Sequence, residues 1–281
     1  MAVHGPMAVA SPDEEDDMKR PWALVTGASD GIGIEFCKDL AARGHDLVLV
    51  ARREPQLRET AALVEKAHGG ATRTIPCDLS LPRAAEGLHR SVVEAGIEVD
   101  FLVNNAGLLC NGYFDEIDLG RQEAMLAVNV VALTSLTHLF LRDMLARGRG
   151  HILNVASAAA WLGLPQQNVY AASKAYVASF TLALDDEVRA KRRGVGVTVL
   201  CPSYTRTKML DNPEQGRKLR VPEAMILDPG VVAREGIEGC LRGKAIVMPG
   251  LSNRVGMSLL QALPRTLVTR LAGTLYRRGQ A

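Results

Sequence analysis

The chain has 281 residues, of which 47% are apolar and 23% charged, a balance typical of a globular protein with a large buried core. Its net charge of +2 gives no basis for nucleic-acid binding, so we expect no nucleic acid among its partners. The length suits one α/β domain, and no internal repeat or central linker favours two.

The two ends of the chain differ in composition from the middle. Residues 1–19 lack the basic start of a signal peptide and contain an acidic cluster from Asp13 to Asp17, which predicts a disordered lead. Residues 20–250 are predicted to form the folded domain and residues 251–281 a C-terminal helical extension. No uninterrupted apolar run reaches the roughly 18 residues that span a bilayer, so we expect no transmembrane segment.

A glycine-rich turn follows the first apolar run, residues 21–26, which predicts a strand. Helical periodicity after the turn predicts a helix that ends near Gly44. The turn reads Gly27-Ala28-Ser29-Asp30-Gly31-Ile32-Gly33. Glycines let a pyrophosphate approach the backbone, and a helix N-terminus offers unpaired N–H groups, so this order predicts a dinucleotide site. An ordinary tight turn is the alternative.

The second apolar run, residues 46–51, leads into Arg52 and Arg53. An NAD site usually places a carboxylate here for the ribose hydroxyls, whereas a guanidinium binds the 2′-phosphate of NADP. We therefore predict NADP(H) as the preferred cofactor, with NAD(H) possible. Two solvated arginines at the start of a helix are the alternative.

Strand and helix patterns alternate along the rest of the chain. Further strands are predicted at 71–77, 100–104, 150–156, 195–200 and 244–248, and helices at 54–67, 82–94, 121–147 and 168–191. This alternation predicts an α/β fold, a single doubly wound Rossmann-type domain whose parallel seven-stranded sheet has helices on both faces. Polar residues follow several of these strands, at the edge where such sheets bind ligands.

Tyr170 and Lys174 lie four residues apart in the predicted helix 168–191, thirteen positions after Ser157. Residues i and i+4 share a helix face, so the ammonium is expected to lower the pKa of the phenol, which would exchange a proton with a carbonyl or alcohol oxygen. Two solvated side chains are the alternative. Asn129 lies among apolar residues and must be hydrogen-bonded, with a purely structural asparagine as its alternative.

The motifs together resemble the short-chain dehydrogenase/reductase family over roughly residues 20–250. They are Thr26-Gly27-x-x-x-Gly31-x-Gly33, Asn104-Asn105-Ala106-Gly107, Asn129, Ser157 and Tyr170-x-x-x-Lys174. The resemblance implies an oxidoreductase that interconverts a carbonyl and an alcohol with NAD(P). It also implies a homodimer or homotetramer that associates through the helices at 121–147 and 168–191.

The resemblance implies a role for each matching residue. Tyr170 would be the general acid and base, Ser157 would hydrogen-bond the substrate oxygen, and Lys174 would bind the nicotinamide ribose and lower the Tyr170 pKa. Asn129 would hold a water in a proton relay to Lys174. Asp78 would contact the adenine, and Asn104 would flank the adenosine ribose with Ala106 and Gly107. The expected cofactor-binding set is Gly27, Ser29, Asp30, Gly31, Ile32, Gly33, Arg52, Arg53, Asp78, Leu79, Asn105, Ala106, Gly107, Tyr170, Lys174, Pro202, Ser203 and Thr207.

Two positions depart from the family pattern. Ser203 follows Pro202 where the family commonly has glycine, with Thr207 in the place of the family's threonine. Asp30 stands where NADP-preferring members often carry a basic residue, which weakens the prediction of NADP(H) over NAD(H).

The segment 203–228 is expected to form a lid over the site. The apolar residues expected to line a pocket for a lipophilic ketone or aldehyde are Tyr204, Met209, Leu210, Met225, Ile226 and Leu227, opposite Leu108, Leu109, Trp161 and Leu164. The basic residues Arg206, Lys208, Arg217, Lys218 and Arg220 favour an anionic acyl thioester, unless they form a solvated surface. A 3-oxoacyl thioester reductase is therefore one alternative function, and a non-catalytic cofactor-binding regulator is another.

The last residues predict one amphipathic basic helix over 252–278. Leucines repeat there at every fourth position, at Leu263, Leu267, Leu271 and Leu275, among several arginines. Such a helix suits its own domain, a partner subunit or a membrane surface.

The cysteines and histidines predict neither disulfides nor metal binding. The five cysteines are an odd number without CxxC spacing, and the six histidines are scattered. We therefore expect free thiols, a cytoplasmic protein and no metal.

Overall fold

The structure, a computed structural model, describes residues 20–211, 223, 226–261 and 263–278, so the predicted lead lies outside the described residues. Within these ranges seven parallel strands form one sheet in the order β3-β2-β1-β4-β5-β6-β7, which confirms the predicted fold class. The strands are β1 Trp22–Thr26, β2 Asp46–Ala51, β3 Thr72–Pro76, β4 Val99–Asn104, β5 Gly150–Val155, β6 Val195–Leu200 and β7 Ile246–Val247. Because the order reverses between β1 and β4, a crevice is expected at their carboxyl ends.

The helices cover both faces of the sheet. They are α1 Gly31–Ala42, α2 Glu54–His68, α3 Ala84–Glu94, α4 Leu119–Leu126, α5 Leu133–Arg147, α6 Asn168–Lys191, α7 Lys208–Asp211, α8 Pro229–Leu241, α9 Leu251–Gln261 and α10 Arg265–Arg278. A core on one face joins α1, α2 and α8 to the strands through residues such as Phe36, Leu57 and Ile237. A second core on the other face joins α3, α5 and α6 through residues such as Val92 and Phe140.

The predicted helix 121–147 is continuous but contains a wide turn. It starts at Leu119, and the π-helical segment Ala127–Ala132 joins α4 to α5. By length and composition the run Leu119–Arg147 could cross a membrane, the one such helix among the described residues, but half of its apolar window is buried in the protein. Half burial is typical of a core helix in a sheet-based fold.

Helix α8 was not predicted from the sequence. Asp228 caps it by accepting hydrogen bonds from Gly230 N at 2.8 Å and Val231 N at 3.2 Å. A proline in its first turn and three glycines hide the helical pattern. Gly239 lies so close to β7 that an added Cβ would be 2.2 Å from Val247, so the glycine permits the helix to pack there.

The prediction of one helix over 252–278 was wrong. The structure has α9 and α10, with Pro264 immediately before α10. Proline lacks an N–H and clashes with the preceding turn, so it ends one helix and starts the next. The seventh strand is also shorter than predicted, with only Ile246 and Val247 paired to β6.

Candidate active site

The glycine turn between β1 and α1 has a backbone that only glycine adopts easily. Gly27 and Gly31 have φ angles of +69° and +52°, in the left-handed region. A Cβ on Gly33 would lie 1.9 Å from the Gly27 carbonyl oxygen. The first turn of α1 therefore packs directly on the end of β1, and this close cradle fits a dinucleotide pyrophosphate at the helix N-terminus.

The end of β4 braces this turn. The Thr26 hydroxyl accepts hydrogen bonds from the amides of Asn105 and Ala106, both at 3.0 Å. The side-chain amide of Asn105 donates to the Thr26 carbonyl at 3.0 Å. Asn105 was predicted to bind cofactor. Its side chain points toward the glycine turn and stabilises the backbone of that turn. No role was predicted for Thr26, although a polar residue at the end of a buried strand is a signal of such a brace.

The side chain of Asn104 is directed into the core, so only its backbone is left to flank the adenosine ribose as the resemblance implies. Its side chain is buried and donates to Thr137 at 3.0 Å and to Asn154 at 2.9 Å, and Asn154 donates to Thr181 at 3.1 Å. This polar network joins β4 and β5 to α5 and α6 inside the core. This direction follows from strand alternation, since the side chains of Asn104 and Asn105 point to opposite faces.

The charged residues expected around the adenine end lie near one another. Arg53 forms an ion pair with Asp30 at 3.6 Å, and Arg52 is exposed. Asp78 accepts hydrogen bonds from the amide and hydroxyl of Ser80, at 3.0 and 2.7 Å. Burial raises the pKa of Asp78, but the Ser80 hydrogen bonds and Arg52 outweigh it, so its pKa lies below the usual value. Leu79 has its side chain in the core between the sheet and α3, so only its backbone is left to face a cofactor.

Tyr170 and Lys174 occupy one face of α6, as the spacing predicts. Lys174 Nζ lies 5.9 Å from the centre of the Tyr170 ring and donates to the Val155 carbonyl at 2.9 Å. The Ser157 hydroxyl, at the end of β5, hydrogen-bonds Tyr170 and accepts from the Ala159 amide at 3.2 Å. The phenol, the ammonium and the serine hydroxyl therefore meet at the carboxyl end of β5.

The expected effect of Lys174 on the Tyr170 pKa does not appear. Burial raises the pKa of Tyr170, the Ser157 hydrogen bond lowers it, and the neighbouring Tyr204 raises it. Burial also lowers the pKa of Lys174 to about 8, against a weaker raising effect of Cys201. Burial destabilises the phenolate more than the Ser157 hydrogen bond stabilises it, so Tyr170 stays protonated at neutral pH.

Asn129 lies in the π-helical segment and pairs with one backbone unit. Its side chain accepts from the Leu108 amide at 2.8 Å and donates to the Leu108 carbonyl at 2.9 Å. A Cβ on Gly107 would lie 3.4 Å from both Asn129 Oδ1 and Lys174 Nζ. The strand-end loop 104–107 therefore contacts the glycine turn at one end and the Tyr170–Lys174 pair at the other.

The loop after β6 closes the remaining side. A Cβ on Gly31 would lie 2.7 Å from Thr207, so Thr207 packs on the glycine turn. The Pro202 carbonyl accepts from the Ala158 amide at 2.7 Å. The Ser203 hydroxyl is buried and has no hydrogen-bond partner among the described residues. An extra polar group here is consistent with an altered loop at this departure from the family pattern.

The structure describes only the two ends of the expected lid. Thr205 pairs with Leu227, the Leu227 amide donates to the Tyr204 carbonyl at 2.8 Å, and Arg206 forms an ion pair with Glu223. Met225 and the basic residues 217–220 lie outside the described residues, as does the side chain of Leu210. On the opposite wall Leu109 and Leu164 are buried, and Leu164 packs with Tyr170 and with Ala272 of α10. The contribution of Ala272 was missed, because nothing in its local sequence pattern points to the site.

Known proteins resemble this chain in both sequence and structure. The model of the short chain dehydrogenase family matches residues 21–218. The very-long-chain 3-oxoacyl-CoA reductase of Rattus norvegicus is 35% identical over 192 residues, 67% of this chain and 60% of the relative. The 17-beta-hydroxysteroid dehydrogenase type 3 of Homo sapiens is 35% identical over 195 residues, with the same two shares. The chain thus spans about 60% of the length of these two relatives.

A solved structure of a short-chain dehydrogenase from Sphingobium yanoikuyae in complex with NADPH has a TM-score of 0.77 and 28% identity. The likeness covers 88% of this chain and 94% of that one. Its extent, together with the family match over more than half of the chain, identifies the family. The chain belongs to the short chain dehydrogenase family, a family of oxidoreductases.

Proposed function

We propose that the protein reduces the carbonyl of a lipophilic substrate with NADPH, and catalyses the reverse oxidation, with Tyr170 as general acid and base. The observation that carries this proposal is the meeting of Tyr170, its partner Ser157 and the buried Lys174 beside the loop that braces the glycine turn. When bound, the nicotinamide supplies or accepts the hydride. The protein's own groups manage the oxygen and its proton.

Each side chain has a step in this scheme. The Ser157 hydroxyl would donate to the carbonyl oxygen as negative charge develops there. Tyr170, protonated because burial raises its pKa, would then give its proton to that oxygen. Lys174, with a pKa of about 8, is an ammonium at neutral pH and would stabilise the resulting phenolate. Asn129 holds Leu108 and so fixes the loop that separates it from Lys174.

Two arginines support the preference for NADP(H). Arg52 and Arg53 are both exposed at the end of β2, where a 2′-phosphate would lie. Asp30 holds Arg53 at 3.6 Å, which leaves Arg52 as the guanidinium better able to pair with the phosphate.

A 3-oxoacyl thioester is the second candidate substrate. The rat relative is named for this reaction, and Lys208 stands at the start of the lid, where it would attract an anionic carrier. In that case salt would lower the rate, because it screens exposed charges.

A substrate panel tests both proposals. Loss of NADPH absorbance would be followed with lipophilic ketones, aldehydes and 3-oxoacyl thioesters of increasing chain length, each at low and high salt. Tyr170→Phe should abolish turnover while NADPH binding persists. Tyr176→Phe is the matched control, since this tyrosine lies on the same helix but is exposed and bonded to Thr134 at 3.1 Å. Substantial turnover by Tyr170→Phe would refute the mechanism, and salt-independent thioester rates no higher than those of neutral ketones would refute the second candidate.

We also propose a cytoplasmic location and a homodimer or homotetramer. The five cysteines are all free, which suits a reducing compartment. The helices α4 to α6 expose apolar side chains, among them Leu126, Val131 and Tyr176, as an interface between subunits would require.

A further inference from the structure

The C-terminal helices α9 and α10 expose a row of large apolar side chains. The residues recur at every fourth position, so those on each helix share one face. Their exposed fractions lie between 42% and 70%. The row consists of Leu251, Val255 and Leu259 on α9, Leu263 between the two helices, and Leu267 and Leu271 on α10. Monomeric proteins rarely expose many large apolar side chains close together without an interaction to cover them.

The row is exposed even though both helices pack against the domain. The other face of each helix is packed on the domain: Met257 of α9 and Val268 of α10 are both less than a tenth exposed. A Cβ on Gly163 would lie 2.6 Å from the Thr269 hydroxyl, so α10 touches the loop that precedes α6. The helices are therefore seated on the domain with a second apolar face directed outward.

A cavity of about 250 Å³ lies under the corner between the two helices. Leu260 and Val268 line one side, and Trp161 and Leu162 line the other. Leu162 also packs in the cluster that contains Tyr170. The outward row thus borders an apolar opening next to the candidate active site.

The charged residues of this segment are all positive. All 31 Asp and Glu residues of the chain precede Leu251, whereas five of its 33 Lys and Arg residues follow it. The five are Arg254, Arg265, Arg270, Arg277 and Arg278. In this segment, therefore, the exposed apolar side chains alternate along the sequence with cations, and such a face complements a surface that is apolar inside and anionic outside. A second copy of the same face would bring like charges together, which opposes self-association here.

We propose that α9 and α10 dock the protein onto an anionic lipid bilayer. The apolar row enters the boundary between headgroups and acyl chains, and the arginines contact lipid phosphates. Docking in this orientation places the cavity at the bilayer surface. The binding itself does not depend on the proposed reaction, so each can fail without the other.

Co-sedimentation with vesicles tests the docking. The purified full chain would be mixed with vesicles of phosphatidylcholine alone, or of phosphatidylcholine with about one third phosphatidylserine. We expect binding to the anionic vesicles that weakens as salt rises. The triple variant Val255→Ser, Leu259→Ser and Leu267→Ser should bind at least tenfold more weakly, because each apolar side chain withdrawn from water contributes a factor of roughly ten.

Matched controls separate docking from general stickiness. The triple variant Leu63→Ser, Leu81→Ser and Val93→Ser removes apolar side chains of similar exposure from other elements and should bind as the parent does. Arg265→Gln with Arg270→Gln should weaken binding to anionic vesicles, whereas Arg58→Gln with Arg90→Gln should not. NADPH binding and the circular dichroism spectrum confirm that every variant is folded.

Three results would overturn the docking proposal. One is equal vesicle binding by the parent and the first triple variant. Another is a change of oligomer size in that variant without a change in vesicle binding, which would assign the row to a second copy. The third is binding that appears only after removal of residues 1–19, which would assign the row to the acidic lead of this chain.

Discussion

Lys174 is a buried cation whose cost should be visible in the pH dependence of folding. Its pKa falls from 10.5 to about 8 because burial disfavours the ammonium. Below pH 8 the folded and unfolded states are both protonated, and the folded state bears a penalty of roughly 3 kcal/mol for the buried charge. Between pH 8 and pH 10.5 the unfolded state binds more protons, so this penalty is relieved and stability rises with pH.

Lys174→Met should remove that rise. The measurement is urea unfolding without cofactor. As the pH increases from 8 to 10.5, we expect the free energy of unfolding of the parent to increase by up to roughly 3 kcal/mol relative to that of Lys174→Met. Lys191→Met, at an exposed position on the same helix, should leave the pH profile of the parent unchanged. Parallel profiles for the parent and Lys174→Met would contradict the shifted pKa.

Arg52 is expected to determine the choice between the two dinucleotides. Arg52→Asp should lower the ratio of kcat/KM with NADPH to kcat/KM with NADH at least tenfold, because a carboxylate repels the 2′-phosphate and accepts from ribose hydroxyls. Arg58→Asp is the control, since Arg58 is exposed on α2 and already paired with Glu54. A ratio unaltered by Arg52→Asp would exclude Arg52 from phosphate binding.

At the residue scale, the sequence predicted which side chains lie together better than it predicted the environment of those side chains. Tyr170, Lys174 and Ser157 were found from spacing, and they lie together in the structure. The raised pKa of Tyr170 was not predictable, because desolvation depends on atoms brought in by distant segments such as Ala272. The core position of the Asn104 side chain was not predictable either, because a motif of four letters does not reveal which face each residue presents.

At the scale of the element, the glycine turn depends on the space between α1 and β1. Gly33→Ala should abolish dinucleotide binding and destabilise the protein, because its Cβ would lie 1.9 Å from the Gly27 carbonyl oxygen. Calorimetric titration with NADPH and thermal unfolding measure the two effects. Gly87→Ala is the control, because the added Cβ would meet no neighbouring element within 4 Å. Since alanine has a higher helix propensity than glycine, this variant should be more stable than the parent by roughly 1 kcal/mol. Normal NADPH affinity in Gly33→Ala would show that the cradle tolerates a side chain.

Elements with strong periodicity were predictable, and those shaped by packing were not. The strands from β1 to β6 were found within a few residues of their bounds, because buried parallel strands are short continuous apolar runs. Helix α8 was missed because its glycines exist to pack on Leu200 and Val247, which conceals its helical propensity. The division of α9 from α10 was readable at Pro264, but the leucine repeat on both sides obscured it.

For the whole molecule, the strongest prediction concerns subunit association through α4 to α6. Val131 is 61% exposed on the π-helical segment. Val131→Asp should convert the expected dimer or tetramer into a smaller species, because a carboxylate buried in an apolar interface lacks a partner. Light scattering after size-exclusion chromatography measures the mass. Val93→Asp, at a similarly exposed valine on α3, should leave the mass unchanged, and an identical shift in both variants would point to misfolding.

The contact between Gly163 and Thr269 links helix α10 to the loop beside the candidate active site. The loop that leads to α6 rests on α10 with space for no more than a hydrogen atom. We therefore expect a displacement of α10 to shift this loop, which includes Leu162 of the cluster that contains Tyr170. Binding of α9 and α10 to a membrane would then affect the reaction rate as well as the location of the protein.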